Sequence, residues 1–87
     1  MSELKKRVRA FVVSNFLLGD DNGFAEDASF LELGIIDSTG VLELVAFLQQ
    51  DFGIRVEDQE LTPDNLDSVS SVVSFVERKL SASGQNS

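Results

Sequence analysis

Apolar residues at Leu4, Val8, Phe11, Val12 and Phe16 recur at helical spacing and predict an amphipathic helix over about 3–18. Lys5, Lys6 and Arg9 fall on its other side, Ser2 is placed to cap its start, and Gly19 with the polar run to Gly23 ends it. A second stripe, Val41, Leu42, Val45, Leu48 and Phe52, predicts a helix over 38–52, closed by Gly53. Leu44 and Phe47 widen that stripe, so part of it is expected to stay exposed. Thr62 and Pro63 read as the cap and first residue of a short helix. Val69, Val72, Val73, Val76 and Leu80 form the face of a last helix, rich in Ser and Val and so dependent on packing. Arg78 and Lys79 suit its C-terminal dipole.

The stretch between the first two helices has no sustained period, yet holds Phe24, Phe30, Leu31, Leu33, Ile35 and Ile36. A connection this long is seldom inert, and its apolar content predicts an ordered strap across the core. Ser29 to Glu32 has the form of a capping box, enough for one helical turn. The expected fold is all-α: a small four-helix bundle of three main helices and one short one, with a long first loop. Residues 1–80 would form one domain and 81–87, SASGQNS, a disordered tail.

Composition narrows the chemistry. The 87 residues include no cysteine and no histidine, which removes disulfides, thiolate metal sites and the usual base near neutral pH. A Ser-His-Asp triad cannot be built from this chain, and so short a domain has little room for a pocket, so it is not expected to be an enzyme. Asp20 to Gly23 invites a calcium reading, but aligning Gly23 with the sixth position of an EF-hand loop puts Leu18 first and Ser29 twelfth. Both positions need oxygen-rich ligands, so no metal site is assigned. No apolar run is long enough to cross a bilayer and no signal peptide is evident, so no stable membrane insertion and a cytoplasmic location are expected.

The net charge of −8 is uneven. Lys5, Lys6, Arg7 and Arg9 against Glu3 give the first 19 residues +3, whereas 20–67 hold thirteen acids and only Arg55. That middle should repel nucleic acid and attract basic protein surfaces.

One junction stands apart. Leu33-Gly-Ile-Ile runs into Asp37-Ser38 at the start of the second helix. Asp37 or Ser38 could serve only as a cap, worth ~1 kcal/mol. A hydroxyl there is also well placed to carry a phosphate, because free N–H groups and the helix dipole favour a phosphodiester.

With Gly34, Asp37, Ser38, Val41, Glu43, Leu44 and the closing Asp51-Phe-Gly-Ile54 in place, residues 30–54 resemble the acyl carrier proteins. The segment from Leu61 to Leu80 resembles the family's third and fourth helices, so the likeness spans about 3–80. It implies that Ser38 carries 4′-phosphopantetheine, attached by a phosphopantetheinyl transferase from coenzyme A. Asp37, Gly34 and Thr39 would support the attachment site, and Glu43, Leu44, Phe47 and Asp51 would serve partner docking. The cofactor thiol would hold an acyl group as a thioester for acyl-adenylating ligases or acyl-transfer and synthase enzymes, the protein acting as a non-catalytic monomer.

Thr39-Gly40 after the serine departs from the pattern of fatty-acid carriers, and Gln49 and Gln50 stand where acids are expected. These departures resemble specialised carriers loaded by an adenylating ligase. The apolar residues flanking the second helix, with Ile54, Val56 and Leu61 nearby, are candidates to line a cavity for the acyl chain, the alternative being ordinary core. The competing expectation is an unmodified acidic helical interaction domain.

Overall fold

A computed structural model of the chain describes residues 2–19 and 23–85. Among the described residues there are five α-helices and one 3-10 turn, with no strand. They are α1 (Ser2–Phe16), α2 (Phe30–Leu33), α3 (Ser38–Phe52), α4 (Pro63–Leu66) and α5 (Val69–Gln85), with the 3-10 turn at Asp58–Glu60 between α3 and α4. The all-α expectation holds, and the single turn foreseen at Ser29–Glu32 is α2.

Helix boundaries differ where the terminating signal was misread. Ser2 is the first helical residue of α1 and not its cap, and the position before it lies outside the described residues. The helix ends at Phe16 because Leu18 turns into the left-handed region at φ 56°, ahead of Gly19. The last helix continues to Gln85, so the backbone of 81–85 is helical where a tail was expected, and 86–87 lie outside the described residues. No proline interrupts that stretch and its glycine comes only at Gly84. Arg78 and Lys79 are therefore not in the last turn. Arg78 donates to Asn65 Oδ1 at 3.0 Å and Lys79 Nζ meets Glu60 Oε1 at 2.9 Å. Thr62 and Pro63 occupy the expected positions, although the Thr62 side chain makes no capping bond.

The core is built from α1, the strap, α3 and α5. Val8 and Val12 of α1, Leu44 and Leu48 of α3, and Val69, Val72 and Val76 of α5 are fully buried. Phe75 joins them although it lay off the valine stripe, and Phe30 is the strap's main anchor. Leu31 and Leu33 were expected inside with it but are half exposed. A four-residue helix presents only one face to the core, and α2 gives that face to Phe30.

Aromatic rings line the seam between α1 and α3. Phe16 meets the edge of Phe11, Phe11 stacks on Phe47 at 4.1 Å, and Phe47 packs edge-on against Phe52. Arg7 closes the far end, its guanidinium 4.6 Å from the Phe52 ring and 3.0 Å from Asp51 Oδ2. Two further α1 cations also work internally. Lys5 pairs with Glu26 at 3.1 Å and Arg9 lies over Phe24, both on the strap.

Candidate functional site

Four hydrogen bonds fasten the strap to the rest of the bundle on its way to Ser38. Asp67, at the end of α4, accepts the Ser29 Oγ–H bond and the Leu31 N–H bond through its carboxylate, the latter at 3.0 Å. Its carbonyl accepts from Phe30 N–H at 2.7 Å. Ser29 Oγ in turn accepts from Glu32 N–H at 3.1 Å, so the first turn of α2 is capped by a serine that a distant carboxylate orients. Earlier in the strap, the Glu26 carbonyl accepts from Ser70 N–H at 2.9 Å.

Gly34 then reverses the chain. It is the C-cap of α2 at φ 71°, a conformation that side chains disfavour, and its N–H returns to Leu31. The turn drives Ile35 and Ile36 into the core, and the chain emerges at Asp37.

Asp37 is the N-cap of α3. Its Oδ1 accepts the Gly40 N–H at 2.7 Å, and its carbonyl accepts from Val41. Capping therefore falls to Asp37 and leaves Ser38 out of it. Ser38 is exposed, and its hydroxyl has no partner among the described residues. Its own N–H and that of Thr39 precede the first intrahelical bond and keep the positive end of the helix open.

Beside this hydroxyl lies an open cavity of about 270 Å³. Phe30, Ile36, Val41 and Leu66 form its apolar lining, and Leu31, Leu42 and Leu61 stand at its edge with Ser38. Of the residues expected to line a cavity, Ile36, which flanks the second helix, and Leu61 do so. Ile54 is buried elsewhere in the core, and Val56 packs against it.

The structure redistributes the proposed docking residues. Leu44 is fully buried, so it presents nothing to a partner, while Leu42, expected in the core, is 61% exposed. Residues 41–48 are apolar apart from Glu43, so 3.6-residue spacing fits several faces. The face actually buried runs through Gly40, Leu44 and Leu48. Phe47 is committed to the aromatic seam and Asp51 to Arg7. Glu43 is exposed and has no ion pair among the described residues. Gln49 is no vacant charge position, for its Oε1 accepts the Val56 N–H at 3.0 Å and holds the segment after α3.

Sequence reasoning missed Asp67, which acts across 36 and 38 residues. It sits before Ser68 in an ordinary polar turn, and no local pattern marks it. It also missed why position 40 is glycine. A Cβ there would lie 2.9 Å from Phe16 Cε1 and 3.0 Å from Ile36 Cγ2, closer than packed carbons tolerate.

The fold and site together define a small helical carrier-type domain: a held-out hydroxyl at the start of a helix in a helical bundle. Residues 8–76 match the phosphopantetheine attachment site family, and the chain belongs to that family. It is similar to the probable acyl carrier protein PigG of Serratia sp. (strain ATCC 39006), with 32% identity over 75 residues that span 86% of each protein. Similarity to the acyl carrier protein of Thermosynechococcus vestitus is 32% over 81 residues, covering 93% of this chain and 96% of that one. Among solved structures, the acyl carrier protein from Thermotoga maritima superposes with a TM-score of 0.69 at 28% identity, over 91% of this chain and 93% of the other. The protein is accordingly a non-catalytic acyl carrier that bears covalent 4′-phosphopantetheine and serves biosynthetic enzymes.

Proposed function

We propose that Ser38 is the attachment point, loaded by a phosphopantetheinyl transferase from coenzyme A. The observation that carries this reading is the unbonded, exposed Ser38 hydroxyl at the N-terminus of α3, with capping already supplied by Asp37. In the transfer, Ser38 Oγ attacks the phosphorus that joins pantetheine to the nucleotide. The Oγ–P bond forms, the bond to 3′,5′-ADP breaks, and the serine proton passes to a base of the transferase.

The residues present fit the group. The Ser38 and Thr39 N–H groups would hold a phosphodiester at the positive helix end, where an anion gains ~0.3–1 kcal/mol. Asp37 holds the turn, Gly34 sets the angle at which the strap enters it, and exposed Thr39 leaves the hydroxyl accessible. Once bound, the cofactor supplies a thiol that holds the acyl group as a thioester. The cavity at Ser38 is mostly apolar and would receive an apolar portion of the cargo.

The partners follow from the same end of the molecule. Glu43 and the exposed Leu42 flank Ser38 within one and a half turns, and we assign docking to them. The loading enzyme is read as an acyl-adenylating ligase of a specialised pathway, a reading supported by Thr39 directly after the serine. A cytoplasmic monomer fits the acidic surface and the small size. In a direct test, the chain is incubated with coenzyme A and a broad-specificity transferase and its intact mass is measured. One phosphopantetheine should be gained by the wild type and none by Ser38→Ala. No gain with several transferases would favour the unmodified interaction domain.

A further inference from the structure

We infer that Gly40 and Phe16 form a matched pair that positions Ser38. This rests on Ser38 being the attachment point. Gly40 is buried in the first turn of α3, two residues after Ser38, and the Phe16 ring fills the space a side chain would need. A Cβ at position 40 would meet Phe16 Cε1 at 2.9 Å, Ile36 Cγ2 at 3.0 Å and Asp37 Oδ1 at 3.3 Å. Those three atoms belong to the end of α1, the cavity wall beside Ser38 and the cap of α3.

The contact ties the serine to the rest of the bundle. Phe16 is the terminal ring of the aromatic seam that continues through Phe11 and Phe47 to Phe52. The edge contact with Phe11 opposes a retreat of the ring. Asp37 is held by its own bond to Gly40 N–H, at 2.7 Å. Bulk at position 40 must shift Phe16, Ile36 or the turn that bears Ser38, and it is the turn that yields in this proposal, so the glycine sets where the hydroxyl emerges. Leu42 and Glu43, which we assign to docking, are exposed. Phe16 and Gly40 are thus positioning residues: they govern alignment of the hydroxyl and leave partner affinity alone.

The test compares wild type, Gly40→Ala, Phe16→Leu and the double variant Gly40→Ala/Phe16→Leu, with Ser38→Ala as control. Thermal melts fix a temperature at which all are folded, and transferase kinetics with coenzyme A are measured there. Gly40→Ala should lower kcat by roughly tenfold with little change in KM for the carrier, as small misplacements of a reacting group do. The double variant should recover most of that kcat. The amide shifts of Ser38 and Thr39 should move in Gly40→Ala and return in the double variant.

A Gly40→Ala chain with a lower Tm but wild-type kcat and unmoved amides would overturn the proposal, as would a double variant that regains Tm but not kcat. If Gly40→Ala does not fold, Phe16→Leu decides: it should move the Ser38 and Thr39 amides and lower kcat, and unchanged values would overturn the proposal. Labelling of Ser38→Ala, or none of the wild type, would instead refute the attachment reading, and the amide shifts would still judge the slot.

Discussion

Removing the Asp67 carboxylate should loosen the strap that carries the chain to Ser38. In Asp67→Ala, Ser29 Oγ–H and Leu31 N–H lose their shared acceptor, while the Asp67 carbonyl keeps its bond from Phe30. Hydrogen bonds to a charged group contribute ~1.5–3 kcal/mol each when well shielded. One of these is only half-buried and the other is exposed, so water can replace part of each. We expect a combined loss of ~2 kcal/mol, which in a domain of this size lowers Tm by about 8–16 °C. Chemical denaturation gives the free energy, and hydrogen exchange locates it. The amides of Leu33, Ile35 and Ile36, bonded to the carbonyls of Ser29 and Phe30, should lose more protection than those of α5. A double-mutant cycle with Ser29→Ala should show the two residues coupled. A loss below ~0.5 kcal/mol, or a fall in protection spread evenly over the bundle, would refute the clamp.

Four further outcomes are expected. Leu44→Ala should destabilise by ~2–5 kcal/mol through the cavity it leaves, whereas Leu42→Ala should hold Tm but slow loading; equal Tm values would refute the assigned α3 register. Glu43→Lys should slow transfer at low salt, with the difference shrinking as salt is added, because an exposed charge acts through screened steering. Arg7→Ala should free Asp51 and uncover Phe52, lowering Tm modestly without altering kcat, since both contacts lie at the end of α3 away from Ser38. The Glu60 carboxyl is held below its ordinary pKa of 4.5 by the Glu57 backbone N–H and by Lys79. Its contribution is present above that value and is lost as pH falls through the lowered one, so Glu60→Gln should be less stable than wild type at neutral pH and equal to it in strong acid. A gap that stays constant down to strong acid would refute that role.

Local signals made most of the frame readable. Asp37 and Gly53 bound α3 at the residues expected, because a capping carboxylate and a left-handed glycine each act within a few residues of chain. Ser29 opened α2 for the same reason. Errors arose where the deciding partner is distant. The apolar run in α3 fits several faces, and the choice of Leu44 over Leu42 for the core is made by α5 and the strap, not by α3 itself. Asp67 has no signature, because its partners lie 36 and 38 residues away. Thr39-Gly40 was visible as a departure but was read as a mark of partner choice. The structure gives its glycine a packing reason first: Phe16 already occupies the space.

The charge pattern was visible in the sequence, but its use was not. The basic residues of α1 looked like a surface, yet Lys5, Arg7 and Arg9 reach across to Glu26, Asp51 with Phe52, and Phe24. They fasten α1 to the strap and to the far end of α3, and Arg7 cancels the Asp51 charge. On α3 this leaves Glu43 as the carboxylate without an internal cation, five residues beyond Ser38. With Leu31, Leu42 and Leu61 exposed around the same hydroxyl, this end of the bundle offers a partner mostly apolar surface and little fixed charge on α3. An enzyme that works at Ser38 should therefore gain more of its affinity from burying leucine there than from ion pairing, and added salt should lower its on-rate more than it raises its off-rate.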